Sequence, residues 1–141
     1  LENVGDIYLR EAGKLGRRKP RSLEIDAVVD TGALMTLLPQ DAVEALGLKT
    51  RGSTTVQLAN DQKIELSVTE GLRLTVAGRE MATDCLVGPP GCTALIGQIV
   101  MERLDLIADP RKRTLTPRPE SPFRPTLMLK TAALTGAGSS N

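Results

Sequence analysis

Apolar and polar positions alternate through Leu23, Glu24, Ile25, Asp26, Ala27 and on to Val29. A period of two predicts a half-buried strand. The run closes in Val28-Val29-Asp30-Thr31-Gly32, where a polar triplet follows an apolar stretch and ends on a residue suited to tight backbone approach. Leu34 to Leu38 is apolar again. Pro39 then opens Gln40 to Leu46 and Gly47 closes it, the pattern of a short helix with proline at its start and glycine past its end. Two hairpins follow: Thr54–Leu58 with Ile64–Val68, around a turn at Asn60-Asp61, and Leu72–Val76 with Met81–Val87, around Ala77-Gly78-Arg79. Ala94-Leu95-Ile96 is a short buried run ended by Gly97. Ile99, Val100 and Leu104 then recur at helical spacing, a second short helix. Leu106–Ala108 and Thr114–Thr116 flank a turn at Asp109-Pro110. Near the start, Ile7-Tyr8-Leu9-Arg10 reads as a further short strand, and residues 11–21 as a loop.

Many short strands with two short helices predict an all-β fold, a small closed barrel-like domain of one lobe over residues 1–118. Residues 119–141 are rich in proline and then glycine. They read as a tail that is partly disordered. Within it, Leu127-Met128-Leu129 suits either an added strand at a subunit interface or an apolar segment lying against the barrel.

Composition narrows the chemistry. The chain has 141 residues, enough for one core, and one Phe, one Tyr and no Trp, so that core is aliphatic. Readings that need aromatic platforms, such as single-stranded nucleic-acid binding, are disfavoured. The net charge is +1, and no global field draws nucleic acid or an anionic membrane. The basic clusters Arg17-Arg18-Lys19 with Arg21 and Arg111-Lys112-Arg113 fall in turns and read as solvated loops. No histidine is present, which removes Ser-His and Cys-His catalysis and most zinc chemistry. Cys85 and Cys92 have no CxxC spacing. They form neither a disulfide framework nor a metal site, and fit a reducing, cytoplasmic compartment. No run approaches the about 18 apolar residues of a membrane span, and no secretory signal pattern is visible.

Asp30-Thr31-Gly32 alone would pass for a strand-ending turn, since all three residue types favour turns. Its setting is more specific. The stretch Val28-Val29-Asp30-Thr31-Gly32-Ala33, the hairpin at Val56–Val68, the run from Gly78 through Cys85-Leu86-Val87-Gly88-Pro89, and Leu95-Ile96-Gly97 followed by a helix stand in one order. In that order and spacing the chain resembles the retroviral-type (retropepsin-like) aspartic proteases, including their bacterial members, over roughly residues 22 to 116.

The resemblance implies an aspartic endopeptidase that needs no cofactor and no metal. Asp30 would be its catalytic residue, with Thr31, Gly32 and Ala33 supporting the active-site loop. Ala59, Asn60 and Asp61 would form the tip of a flap that closes over an extended polypeptide substrate. Two aspartates sharing one proton supply both base and acid, because adjacent like charges do not both ionise. The chain contains one Asp-Thr-Gly and no internal repeat, so the second carboxylate would come from another copy in a homodimer. Thr31 would reach across the two-fold axis to the partner's loop. Ala33 stands where many relatives carry a hydroxyl, which implies a less acidic pH optimum. Retroviral members pair an acid after the Asp-Thr-Gly-Ala segment with an arginine after the later glycine. Here those positions are Leu34 and Gln98, so both charges are missing together and none is stranded. Their flap tips are glycine-rich, whereas this one is polar. These two departures leave an alternative from another class, a dimerising or peptide-binding module with weak or no catalysis.

Overall fold

The structure is a computed structural model, and it describes residues 1–129. Strands dominate, as the alternating patterns predict, and three helices of six to eight residues punctuate them. In chain order the elements are β1 (Glu2–Asn3), α1 (Val4–Glu11), β2 (Ala27–Val29), β3 (Leu37–Pro39), α2 (Gln40–Leu46), β4 (Thr50–Gln57), β5 (Lys63–Val76), β6 (Arg79–Gly88), β7 (Ala94–Ile96), α3 (Gln98–Arg103), β8 (Leu106–Asp109) and β9 (Thr114–Pro117). One sheet runs β1-β5-β6-β3-β7-β2 with β4 paired to β5, and β8 with β9 forms a separate hairpin. Backbone pairing therefore follows an open path from β1 to β2 among the described residues. No helix there is long and apolar enough to cross a membrane.

The core is aliphatic. Leu38, Val43, Leu46, Leu72, Leu74, Val100, Leu104 and Leu106 pack together, with Cys85 among them. The patterned helices account for part of it: α2 turns Ala42, Val43 and Leu46 inward, and Gly47 caps it in the left-handed conformation at φ 65°. α3 buries Val100 and Met101.

The segment read as a strand at Ile7–Arg10 is helical. Asn3 decides this: its extended backbone and its side-chain oxygen, which accepts from the Asp6 amide at 3.0 Å, cap α1. Val4 and Ile7 then bury one face at a spacing of three, and Tyr8 and Leu9 face outward. The Asn3 amide also donates to the Leu46 carbonyl at 2.7 Å, tying α1 to the end of α2. Arg21 is no solvated loop cation. Its guanidinium donates twice to the buried Asp6 carboxylate, at 2.8 and 3.0 Å, and its backbone amide donates a third bond.

The two predicted hairpins share one strand. β5 runs unbroken for 14 residues, so the runs at Ile64–Val68 and Leu72–Val76 are halves of the same element, joined through Gly71. Conversely, the alternation from Leu23 to Asp26 is genuine in burial but not in pairing. Only Ala27–Val29 of that run joins the sheet.

A buried polar knot ends the described chain. Asp105 sits at φ 53° after α3, and its carboxylate accepts from Arg118 Nε at 2.8 Å, the Thr126 amide at 3.1 Å and the Ser121 hydroxyl. Buried Arg79 donates to the Leu104 and Asp105 carbonyls and to that of Ser121. These bonds fasten residues 118–126 beside α3. Leu127, Met128 and Leu129 follow in irregular, exposed backbone. Most of the expected disorder, over residues 130–141, lies outside the described residues.

Candidate active site

β2 carries Asp30 to its place. It lies parallel to β7, with Val28 opposite Leu95 and Val29 opposite Ile96, and the ladder continues one step further as the Asp30 amide donates to the Ile96 carbonyl at 3.0 Å. The chain then turns: the Ala33 amide donates to the Asp30 carbonyl at 3.1 Å. Within this turn the Gly32 amide donates to Asp30 Oδ1 at 2.9 Å, which orients the carboxylate with a backbone donor. Asp30 is half-buried, Thr31 and Gly32 are exposed, and Ala33 is half-buried.

The loop rests on the start of α3. The Gln98 amide donates to the Ala33 carbonyl at 2.7 Å and the Ile99 amide to the Leu34 carbonyl at 3.1 Å. Helix-start amides lack intrahelical partners, so the loop and the helix satisfy each other. Gly97 makes the contact close. A Cβ there would lie 2.7 Å from the Leu34 oxygen and 2.8 Å from the Ala33 oxygen. Asp30-Thr31-Gly32-Ala33 and Leu95-Ile96-Gly97, more than 60 residues apart in sequence, thus form one unit.

Leu34 and Gln98 occupy the positions of the absent ion pair. Gln98 turns its side-chain amide toward Glu102 at 3.4 Å. Leu34 is 64% exposed and Val28 50% exposed, so apolar side chains flank Asp30 at the surface.

Ala59, Asn60 and Asp61 lie at the end of the β4–β5 hairpin, all exposed. The tip bonds to itself: Leu58 amide to Gln62 carbonyl at 2.8 Å, Asp61 amide to Leu58 carbonyl at 3.0 Å, Gln62 amide to Asn60 Oδ1 at 3.1 Å, and Gln57 Nε2 to Asp61 Oδ1 at 3.1 Å. Asp61 takes the left-handed turn position at φ 64°, which its residue type tolerates. One face of the hairpin is half-buried and mostly apolar (Thr54, Val56, Ile64, Leu66), and the other is polar and exposed. The structure brings the Asp30 loop and Gly97–Ile99 together; the bonds of the hairpin tip run within residues 57–62.

No group of three or more His, Cys, Asp or Glu is placed to hold a metal among the described residues. A concavity of about 1030 Å³ lies between α3 and residues 118–128, and Asp30 is not among the residues that line it. Two structural features escaped the sequence reading. Asp105 offered no pattern, since its partners lie 13 to 21 residues onward. Gly52 and Gly71 fall just outside the strand patterns read from the sequence, so their places inside β4 and β5 were missed too.

A family model described as Aspartyl protease matches residues 21–106, from just before β2 to the start of β8. Among solved structures, the retroviral protease-like domain of Ddi1 from Leishmania major is similar at 18% identity and a TM-score of 0.42, over 66% of this chain and 78% of that one. A retropepsin-like aspartic protease from Rickettsia conorii is similar at 26% identity and a TM-score of 0.37, over 62% and 74%. No curated protein matches.

Proposed function

The chain belongs to the aspartyl protease family, and on that premise we propose that it is an endopeptidase whose active site forms between two copies, each supplying Asp30. The observation that carries this reading is the placement of Asp30. It stands at the end of β2, inside the family-matched stretch, on a turn locked to α3, with its carboxylate held by the Gly32 amide. A strand-ending turn with no further role has no need of a second segment pressed against its backbone through Gly97.

The chemistry follows from one shared proton. With Asp30 beside Asp30 of a second copy, one carboxylate stays ionised and takes a proton from the attacking water, while the other, protonated, gives its proton to the carbonyl oxygen; as the resulting diol collapses, the first carboxyl passes its proton to the leaving amine and the second takes one back from a diol hydroxyl. The pair titrates as a unit. The exposed Val28 and Leu34 beside Asp30 support a second copy there, since apolar surface rimming a site is a frequent contact surface. Thr31, exposed at the turn, is available to bond the partner's loop. An extended polypeptide would lie between the loops and the β4–β5 hairpins, which act as flaps, and pair through its main chain. Subsites would be aliphatic, as the chain has almost no aromatic residues.

The polar, internally bonded hairpin tip and the loss of the Leu34–Gln98 charges favour a second reading, a peptide-binding module without catalysis. Cleavage of a mixed peptide library across pH, by wild type and Asp30→Asn in parallel, separates the two. Cuts made by wild type and lost in the variant support the protease. A folded, dimeric wild type that cuts nothing at any pH supports the module.

A further inference from the structure

Two ion pairs in this chain are near copies of each other in different places. Arg21 Nε meets Asp6 Oδ2 and Arg118 Nε meets Asp105 Oδ1, each at 2.8 Å. In both, the aspartate side chain is buried and the arginine about half-exposed. The Asp6 pair ties α1 to the stretch of chain before β2. Asp105 instead follows directly on α3, the helix whose first amides hold the Asp30 loop.

α3 is held at both ends by bonds that come from outside it. The helix is six residues long, and Gly97 at its start supplies no side-chain cap. Helices this short are marginal without tertiary ties. At one end the Gln98 and Ile99 amides reach the Ala33 and Leu34 carbonyls. At the other, buried Arg79 of β6 donates to the Leu104 carbonyl at 2.8 Å and the Asp105 carbonyl at 3.1 Å. Asp105 has φ 53°, a left-handed conformation uncommon for a residue with a side chain. Its carboxylate is bonded by Arg118 Nε, the Ser121 hydroxyl and the Thr126 amide, and its carbonyl also accepts from the Arg118 amide at 3.0 Å. Arg118 therefore grips Asp105 with side chain and backbone together. Val100, Met101 and Leu104 bury the inner face of the helix. Apolar burial is non-directional, so the position of α3 along its own axis is left to the directional bonds at its two ends.

We propose that Arg118, acting through Asp105 and α3, is a positioning residue for Asp30. The proposal rests on the protease reading of the Asp30 loop. It extends the machinery beyond the family-matched residues 21–106, since Arg118, Ser121 and Thr126 all lie past them. Without the guanidinium, Asp105 loses the ion-pair partner of its buried carboxylate. The end of α3 then relaxes toward an ordinary backbone conformation, and the loop bonded to the start of the same helix moves with it. Small displacements of a catalytic group cost rate far more than they cost binding.

The matched pair supplies the control. Arg118→Gln and Arg21→Gln each take one guanidinium from a buried aspartate and leave the backbone amide, so both are expected to lower the urea midpoint alike. The Gly32 and Ala33 amides bond the Asp30 carboxylate and carbonyl, and their NMR signals report the loop directly. Arg118→Gln is expected to shift both signals, and Arg21→Gln to leave them in place. Ser121→Ala, a milder change at the same carboxylate, is expected to move them in the same direction as Arg118→Gln. On a cleaved peptide, Arg118→Gln is expected to lower kcat roughly tenfold with KM within about twofold. Arg118→Lys, which keeps the cation, is expected to recover most of that loss. Gly32 and Ala33 signals that stay in place in Arg118→Gln and Ser121→Ala, or that move equally in Arg21→Gln, overturn the proposal. An equal loss of kcat in Arg118→Gln and Arg21→Gln overturns it too. Should Asp30→Asn retain cleavage, the protease reading fails, while the amide signals still decide whether Arg118 positions the loop.

Discussion

Gly97 and Leu34 touch so closely that a methyl group on the Gly97 α-carbon would lie 2.7 Å from the Leu34 carbonyl oxygen. The obstacle is backbone on both sides, so neither partner yields as a flexible side chain would. Gly97→Ala should therefore lift the Asp30 loop from α3, weakening the Gln98–Ala33 and Ile99–Leu34 bonds. The expected cost is about 1–3 kcal/mol in urea unfolding, with a larger proportional loss in cleavage, because the same shift moves the Asp30 carboxylate. Loss of stability with full activity would separate the loop from the site.

Acid should unfold the protein over a defined window. The Asp6 carboxyl is held down at about 2, first by the Arg21 side chain and then by its amide. That of Asp105 is held at about 2 by Ser121, Arg118 and Thr126. Both lie below the unfolded value of roughly 3.9. Their stabilisation is thus fully present above that value and lost as pH falls toward 2. The urea midpoint should fall between about pH 4 and pH 2, leaving the mildly acidic range open to catalysis. Asp105→Asn should lower the midpoint at neutral pH and flatten its fall in acid.

The two thiols should differ in reactivity. Burial raises the pKa of Cys85, and its sulfur bonds Thr69, whereas Cys92 is half-exposed on the loop after β6. Thiolate is the reactive form. A disulfide reagent should titrate one thiol in the native protein and the second only on unfolding; two fast thiols would contradict this packing.

Ala33 adds no hydroxyl beside Asp30. Ala33→Ser should supply a donor to the carboxylates, favour their ionised form and move the acid limb of the cleavage profile to lower pH. An unchanged profile would mean that residue 33 does not reach the dyad.

The turn at Asp30, α2 between Pro39 and Gly47, and the β8–β9 hairpin around Asp109 were legible because each rests on local chemistry. Asp109 even accepts from the Arg111 and Lys112 amides, as an aspartate-led turn does. The pressing of Gly97 against the loop is not legible along the chain, since nothing local ties it to residues 33–34. α1 was misread because a short apolar run fits either period. Asn3, which settles it, acts by capping Asp6 and by reaching Leu46, and the second contact is invisible along the chain. Gly71 looked like the break between two hairpins because a bulge and a turn draw on the same residue.

The central claim, that one active site takes Asp30 from each of two copies, is tested most directly by mixing. Wild type and Asp30→Asn are unfolded together in equal amounts, refolded, and assayed on a substrate cut by wild type. If both carboxylates are required, activity per total chain falls to about a quarter of wild type, the share of dimers with two intact copies. A fall to only about a half would mean that each chain works alone, and the shared site would be wrong.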